Sequence, residues 1–331
     1  MLRDFVRSYY KRDYAYDYWH FPHKVSQEFS KGGYFIDFGP KGDYAGPFDA
    51  EGIPLLDLAT QHWSGERRLV YSPIVIAQYG LGWHTRWMRT GDAGGRAKLL
   101  VAAEWLRSAA ESVHVGGDTL ALFRFDIGGV STTSAMAQGL AASVWARAFE
   151  LTGDSGFLTA TANVLRTFNY TLEQGGVVDT HRGMALLEEY SYERSHVLNG
   201  HIYALMGLYD YRRVSAEART SAELETLWLR HVESALVLAA GADLGFWSRY
   251  SWAHTLTPNI ASCFYHEMHS EMLDALATVS GRPEFRRIAD RWRRYRGNVV
   301  FCTAAMIAKL VNWMELYLRG RVSRLLRPVR A

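Results

Sequence analysis

From Ser72 onward, apolar residues recur at three- and four-residue intervals. That period predicts nine helices over 73–90, 93–112, 134–151, 154–172, 196–214, 219–239, 260–280, 283–296 and 299–318. The clearest begins at Val197, where Leu198, Ile202, Leu205, Met206 and Tyr209 keep helical spacing and Ser195 is placed to cap the start. The joints TGDAG (90–94), TGDSG (152–156) and SGRPE (280–284) each offer a glycine to end one helix and an Asp or Pro to begin the next. Longer polar segments at 113–133, 174–195 and 240–259 alternate with these short joints. Helical hairpins with short loops at one end and long loops at the other predict a mainly α fold, an (α/α) toroid or barrel whose long loops ring a cavity. A plain helical-repeat solenoid is the alternative, but no fixed repeat period is found.

Residues 1–60 break the helical pattern. They are rich in Tyr, Gly and Asp, and the run from Gly32 to Pro54 reads as short strands separated by turns. A short β-hairpin arm packed on the main domain is expected, since the segment is too small for its own core. The predicted plan is therefore an N-terminal arm (1–60), a catalytic toroid (61–318) and a basic tail (319–331).

Composition narrows the class. A chain of 331 residues with 48% hydrophobic and 21% charged residues can build a sizeable core, and a formal net charge of +3 fits an anionic substrate. The aromatic share of 14% suits stacking on sugar rings or bases, although helix packing accounts for most of it. Cys263 and Cys302 form no CxxC pair, so neither a disulfide framework nor a zinc-thiolate site is expected. Charges and tyrosines interrupt the first residues where a secretory signal needs an apolar core, so the expected location is cytoplasmic. The apolar run from Val299 to Leu318 is broken by Lys309, Asn312 and Glu315, which favours an amphipathic helix over a membrane span. After it, Arg319, Arg321, Arg324, Arg327 and Arg330 interleave with apolar residues, and peripheral contact of this tail with the inner membrane surface is expected. Glycine pairs at 128–129 and 175–176 lack the strand-before, helix-after context of a phosphate loop. Neither nucleotide nor nucleic acid is an expected partner, and the chain is compatible with a homodimer.

Candidate chemistry concentrates between Leu187 and Tyr209, where acids, phenols, an amide and an imidazole crowd just ahead of a helix. Glu188, Glu189 and Tyr190 fall on connecting backbone, a common position for reachable polar groups. His266 and His269 flank Tyr265, and Arg249 and His254 lie in the preceding long segment. If that region is helical, Tyr265 and His269 share a face. The HEMH run at 266–269 has its histidines at i, i+3 where a zinc protease needs i, i+4, so no metal is expected there, and no cofactor anywhere.

Four stretches, SPIVIAQYGL (72–81), SAMAQG (134–139), EEYS with VLNGHIYALMGLYD (188–210) and TPNIASCFYHEMH (257–269), together resemble the D-glucuronyl C5-epimerases, especially their C-terminal α/α domain. The resemblance implies C5-epimerisation of D-glucuronic to L-iduronic acid within a polysaccharide or oligosaccharide such as a heparosan-type glycosaminoglycan. It implies Glu189 and Tyr265 as proton-transfer groups on opposite faces of the sugar, with Tyr190 a donor beside Glu189. Tyr79, Gln138, Asn199, Arg249, His254, His266 and His269 are the substrate-binding candidates. Several positions depart from the family. The β-rich insertion that vertebrate members carry between AQYGL and SAMAQG is replaced by a short interval that reads mostly helical. Ser191 follows EEY in place of Pro, Trp247 falls at a family Tyr, and Tyr250 falls at a family Arg.

Removing an unactivated proton beside a carboxylate builds a second negative charge on one carboxyl group, so a base, an opposed acid and charge donors are all required. The same abstraction begins a uronate lyase reaction. A glycoside hydrolase would need a second catalytic carboxylate, and none stands out. A glycan-binding protein would bind uronates without proton exchange.

Overall fold

A computed structural model describes residues 2–11, 18–21, 23–60, 68–127, 130–181, 183–252 and 255–325. Helix α1 (Leu2–Lys11) precedes the predicted series, which appears as α2 (Pro73–Thr90), α3 (Ala93–Ala109), α4 (Ala135–Thr152), α5 (Ser155–Leu165), α6 (Leu198–Val214), the short α7 (Ala216–Thr220), α8 (Ala222–Gly241), α9 (Cys263–Ser280), α10 (Pro283–Gly297) and α11 (Val299–Leu325). The three short joints form as their sequences require. Gly91, Gly153 and Gly281 close their helices at φ 71, 74 and 67, a region that favours glycine. Asp92 and Asp154 then cap α3 and α5 by accepting from the N–H of Gly94 and Gly156, while Pro283 opens α10.

The helices stack in two rows. One row runs α2, α4, α6 and α9, each packed on the next, while α3, α5, α8 and α10 cover it from outside. The closest crossing is α4 on α6. A Cβ added to Gly139 would lie 2.4 Å from Ala204 Cα, and one added to Gly207 would lie 2.3 Å from the Gly139 carbonyl oxygen. Only glycine permits that approach. The same two helices are tied by a fully buried ion pair, in which the Arg147 guanidinium donates to Asp210 at 2.7 and 3.2 Å.

The long polar segments are not plain loops. Each carries antiparallel ribbon: β3 (Glu111–Val115) with β4 (Asp118–Leu122), β5 (Phe125–Ile127) with β6 (Val130–Thr132), β7 (Val178–His181) with β8 (Met184–Leu187), and β9 (Arg249–Ser251) with β10 (Asn259–Ile260). The helix expected to reach residue 112 therefore stops at Ala109. Gly116 and Gly117 adopt φ 58 and 92 and turn the chain back into a hairpin. The interval after AQYGL, read as mostly helical, thus holds α3 followed by two ribbons.

The arm also differs from expectation. Its regular structure is α1, short 3-10 turns and the small pair of β1 (Leu55–Asp57) with β2 (Leu69–Tyr71), joined by isolated bridges Val25 with Ile36 and Phe48 with Pro54. Aromatic burial holds it in place. Tyr34, Phe35 and Phe38 are fully buried, and Phe35 and Phe38 pack on Tyr203 of α6. At the other end, α11 runs past Leu318 to Leu325, so the first part of the basic tail is helical, while 326–331 lie outside the described residues. No single helix among the described residues is long and apolar enough to cross a membrane.

Candidate active site

The β7–β8 hairpin delivers Glu188, Glu189 and Tyr190 at its exit. His201 of α6 holds that exit: its Nδ1 accepts from the Leu187 N–H at 3.0 Å while its Nε2 donates to the His231 carbonyl. Glu188 is fully buried and braces the loop from inside. Its carboxylate accepts from the N–H groups of Tyr190 (3.3 Å) and His196 (3.1 and 3.2 Å) and from His196 Nδ1 at 2.8 Å. Asp179, Glu188 and His196 place ligand-type atoms within 4.8 Å of one another, but those of Glu188 and His196 are engaged in this network, and Asp179 meets Arg194 at 3.3 Å. Arg194 and His196 both adopt φ 49, a left-handed conformation uncommon outside glycine, and each is held there by these contacts. Ser191 fixes the other side by accepting from the Thr133 N–H at 3.1 Å and sharing a 2.8 Å bond with the Thr132 hydroxyl.

Ser195 does not cap α6. Val197 occupies the cap position, and Ser195 is buried with its carbonyl accepting from the Trp252 N–H at 2.7 Å. The left-handed turn at His196 redirects the chain, and Ser195 serves instead to tie this loop to the strand bearing Tyr250.

Glu189 is buried, and its Oε2 has no hydrogen-bond partner. Its carboxyl packs on the first turn of α6 at Gly200, where an added Cβ would lie 2.4 Å from Oε2 and 2.6 Å from Glu189 Cβ. Burial pushes this carboxyl up to about 8, with the neighbouring Glu188 and Glu193 acting in the same direction against a hydrogen bond from Tyr190.

Further phenols come from β9 and α9. Ser262 caps α9 by accepting from the N–H of Tyr265. The Tyr250 and Tyr265 rings stand 4.7 Å apart, tilted by 56°. Burial raises Tyr190, Tyr203 and Tyr250 well above an ordinary phenol. Glu189 and Tyr265 both act electrostatically on all three, which places the carboxyl and the phenols in one cluster. Groups held this way divide by role: the carboxyl exchanges a proton near neutrality, and the phenols stay protonated as donors.

The substrate-binding candidates scatter. Asn199 is buried in the first turn of α6 with its Oδ1 unpaired. His269 is fully buried on the Tyr265 face, 6.4 Å from that ring; both its nitrogens lack partners and burial holds it neutral, near 3. His266 is used internally: Nδ1 accepts from Ser248, Nε2 donates to the Trp292 carbonyl, and Trp247 stacks on it at 3.8 Å. Gln138 spends both ends of its amide on Phe123 and Ala121 backbone. Tyr79 lies elsewhere, against Phe48 and Trp83 in a cleft of about 230 Å³. Arg249 stacks on Trp252 at 5.2 Å. His254 lies outside the described residues.

Reading the sequence missed Tyr250, Gly200 and the Glu188–His196 brace. For the brace the doubled acid at 188–189 was a usable signal, one carboxylate being structural and its neighbour free. A helical scaffold thus holds a buried carboxyl of raised proton affinity among buried phenols. The family model described as D-glucuronyl C5-epimerase C-terminus matches residues 123–294, and the chain belongs to this family. It is 28% identical over 276 residues to a D-glucuronyl C5-epimerase of Caenorhabditis elegans, covering 73% of this chain and 43% of that protein. The chain thus spans less than half the length of that relative. Glu189, Tyr190, Gly200, Tyr250 and Tyr265 all fall within the family match, whereas Tyr79 and α11 lie outside it.

Proposed function

We propose that this protein is a D-glucuronyl C5-epimerase acting on glucuronate units of a polysaccharide or oligosaccharide, with the helix hairpins closing into an (α/α) toroid around the sugar. The observation that carries the reading is the buried Glu189 carboxyl, with an unpaired oxygen and raised proton affinity, clustered with Tyr190, Tyr250 and Tyr265 inside the family-matched segment. In the ionised form Glu189 takes the C5 proton from one face. Tyr265 delivers a proton to the other face, with the Tyr250 ring packed against it. Tyr190 donates toward Glu189 and steadies its charge.

The reaction is tested by incubating glucuronate-containing oligosaccharides in deuterated water and analysing the products. Iduronate carrying deuterium at carbon 5, without unsaturated ends, is expected. Unsaturated ends absorbing in the ultraviolet would reassign the site to a lyase, and binding without exchange would reduce it to a glycan-binding site. Cytoplasmic placement, with the arginines of the α11 end against anionic lipid, is proposed alongside.

A further inference from the structure

The three polar residues that interrupt the apolar run of α11, Lys309, Asn312 and Glu315, all close on the chain between Leu256 and Ile260. Glu315 accepts from the N–H groups of Leu256 (2.6 Å) and Thr257 (3.3 Å). Asn312 accepts from the Ile260 N–H at 2.9 Å and donates to the Thr257 hydroxyl at 2.6 Å. Lys309 Nζ donates to the Ile260 carbonyl at 2.8 Å and, at 3.4 Å, to Asn259 Oδ1. The stripe therefore fastens α11 to the segment that pairs with the strand of Tyr250.

Lys309 differs from its two companions in bringing a positive charge. It is half-buried, its Nζ lies 5.9 Å from the centre of the Tyr250 ring, and no carboxylate pairs with it among the described residues. An ammonium has three donors, and the two oxygens named leave one unused. Holding a cation even partly out of water without a counter-anion is costly; this partial burial lowers Lys309 to about 8, which still leaves it mostly protonated at neutral pH. The neighbouring arginine is not an equivalent. Successive strand residues face opposite sides, and Arg249 stacks on Trp252 while Tyr250 turns to Tyr265.

We propose that Lys309, beside Tyr250, receives the carboxylate of the substrate's uronate ring. The proposal rests on the uronate reading above and adds the group that recognises the acid. Negative charge accumulates on that carboxyl as the C5 proton leaves, so a cation already in place favours the transition state as well as binding. Family membership did not point to it, because α11 lies beyond the matched residues.

The test is calorimetric titration in a Glu189→Gln background, where turnover is suppressed, with a glucuronate oligosaccharide and with the same oligosaccharide carboxyl-reduced to glucose. Lys309→Gln keeps a donor for the Ile260 carbonyl but removes the charge; Lys309→Arg keeps the charge. Lys309→Gln is expected to weaken uronate binding by about tenfold or more, to leave the reduced ligand unaffected, and to be largely rescued by Lys309→Arg. Unchanged uronate affinity, or equal weakening for both ligands, would overturn the assignment and leave Lys309 a structural clamp. If protein with Lys309 intact binds neither ligand, the uronate reading fails and takes this proposal with it.

Discussion

Replacing Gly200 by alanine sets two physical effects against each other. Alanine is favoured over glycine within a helix by about 1 kcal/mol, so local propensity alone predicts a more stable protein. The structure predicts otherwise, because the new methyl would lie 2.4 Å from Glu189 Oε2, 2.6 Å from its Cβ and 3.0 Å from its Cδ. Restoring ordinary contact distances requires a displacement of about 1 Å, and the Cβ contact prevents rotation of the carboxyl alone from relieving it. A misplacement of about 1 Å at a reacting group lowers turnover by on the order of a hundredfold. Gly200→Ala is therefore expected to lose about that factor in C5 proton exchange while gaining none of the stability that propensity promises. Exchange rates by NMR in deuterated water, paired with thermal unfolding, read both quantities. Full activity together with a raised Tm would refute the packing of Glu189 against α6.

Burial raises Glu189 from 4.5 to about 8, so across that window the folded chain retains a proton that the unfolded chain releases. Its contribution is fully present below about 4.5 and is lost as pH rises through about 8. The stability of Glu189→Gln relative to the unsubstituted protein should thus increase from pH 5 to pH 8 by on the order of a few kcal/mol. Denaturant titrations at several pH values check this, and a flat difference would contradict the buried, unpaired carboxyl. Asn312→Leu strips the buried Ile260 N–H of its acceptor and should destabilise by about 1–3 kcal/mol in chemical unfolding, with little effect if water replaces the amide. Asp210→Ala leaves Arg147 charged and buried between α4 and α6, and should lower stability by about 3–5 kcal/mol in the same assay; a loss under 1 kcal/mol would show the pair to be solvated. For the basic end, flotation with anionic liposomes should recover the full chain better than one ending at Leu318, and only at low salt; equal recovery of both forms would remove the tail from any membrane role.

The helical part of the fold was legible because its signals are local. A period of three to four residues, glycine at a left-handed closing position, and Asp or Pro at the next helix start need nothing distant to be read. The shortest ribbons were not, since each of β5, β6, β9 and β10 spans only two or three residues, too few for an alternating pattern to emerge. The α11 end was misjudged at Leu318 because arginines suggested a separate tail where the helix simply continues. Within the site, Glu189, Tyr190 and Tyr265 could be named through a family resemblance, but what sets them apart is tertiary. Glu188 and Glu189 are adjacent acids with opposite fates, one saturated by His196 and backbone and the other left with an unpaired oxygen, and no linear pattern distinguishes them. Gln138 and His266 looked like sugar ligands in sequence and proved to have their polar atoms engaged by the protein. Lys309 was noticed only as an interruption of an apolar run.

The central claim is two-sided proton transfer between Glu189 and Tyr265. It is tested most directly by measuring deuterium incorporation at carbon 5 from glucuronate and, separately, from iduronate oligosaccharides, with the unsubstituted protein, Glu189→Gln and Tyr265→Phe. The unsubstituted protein should exchange both epimers, while each variant, folded by circular dichroism, should lose nearly all net epimerisation. Near-normal interconversion of the two epimers by either variant would contradict the assignment.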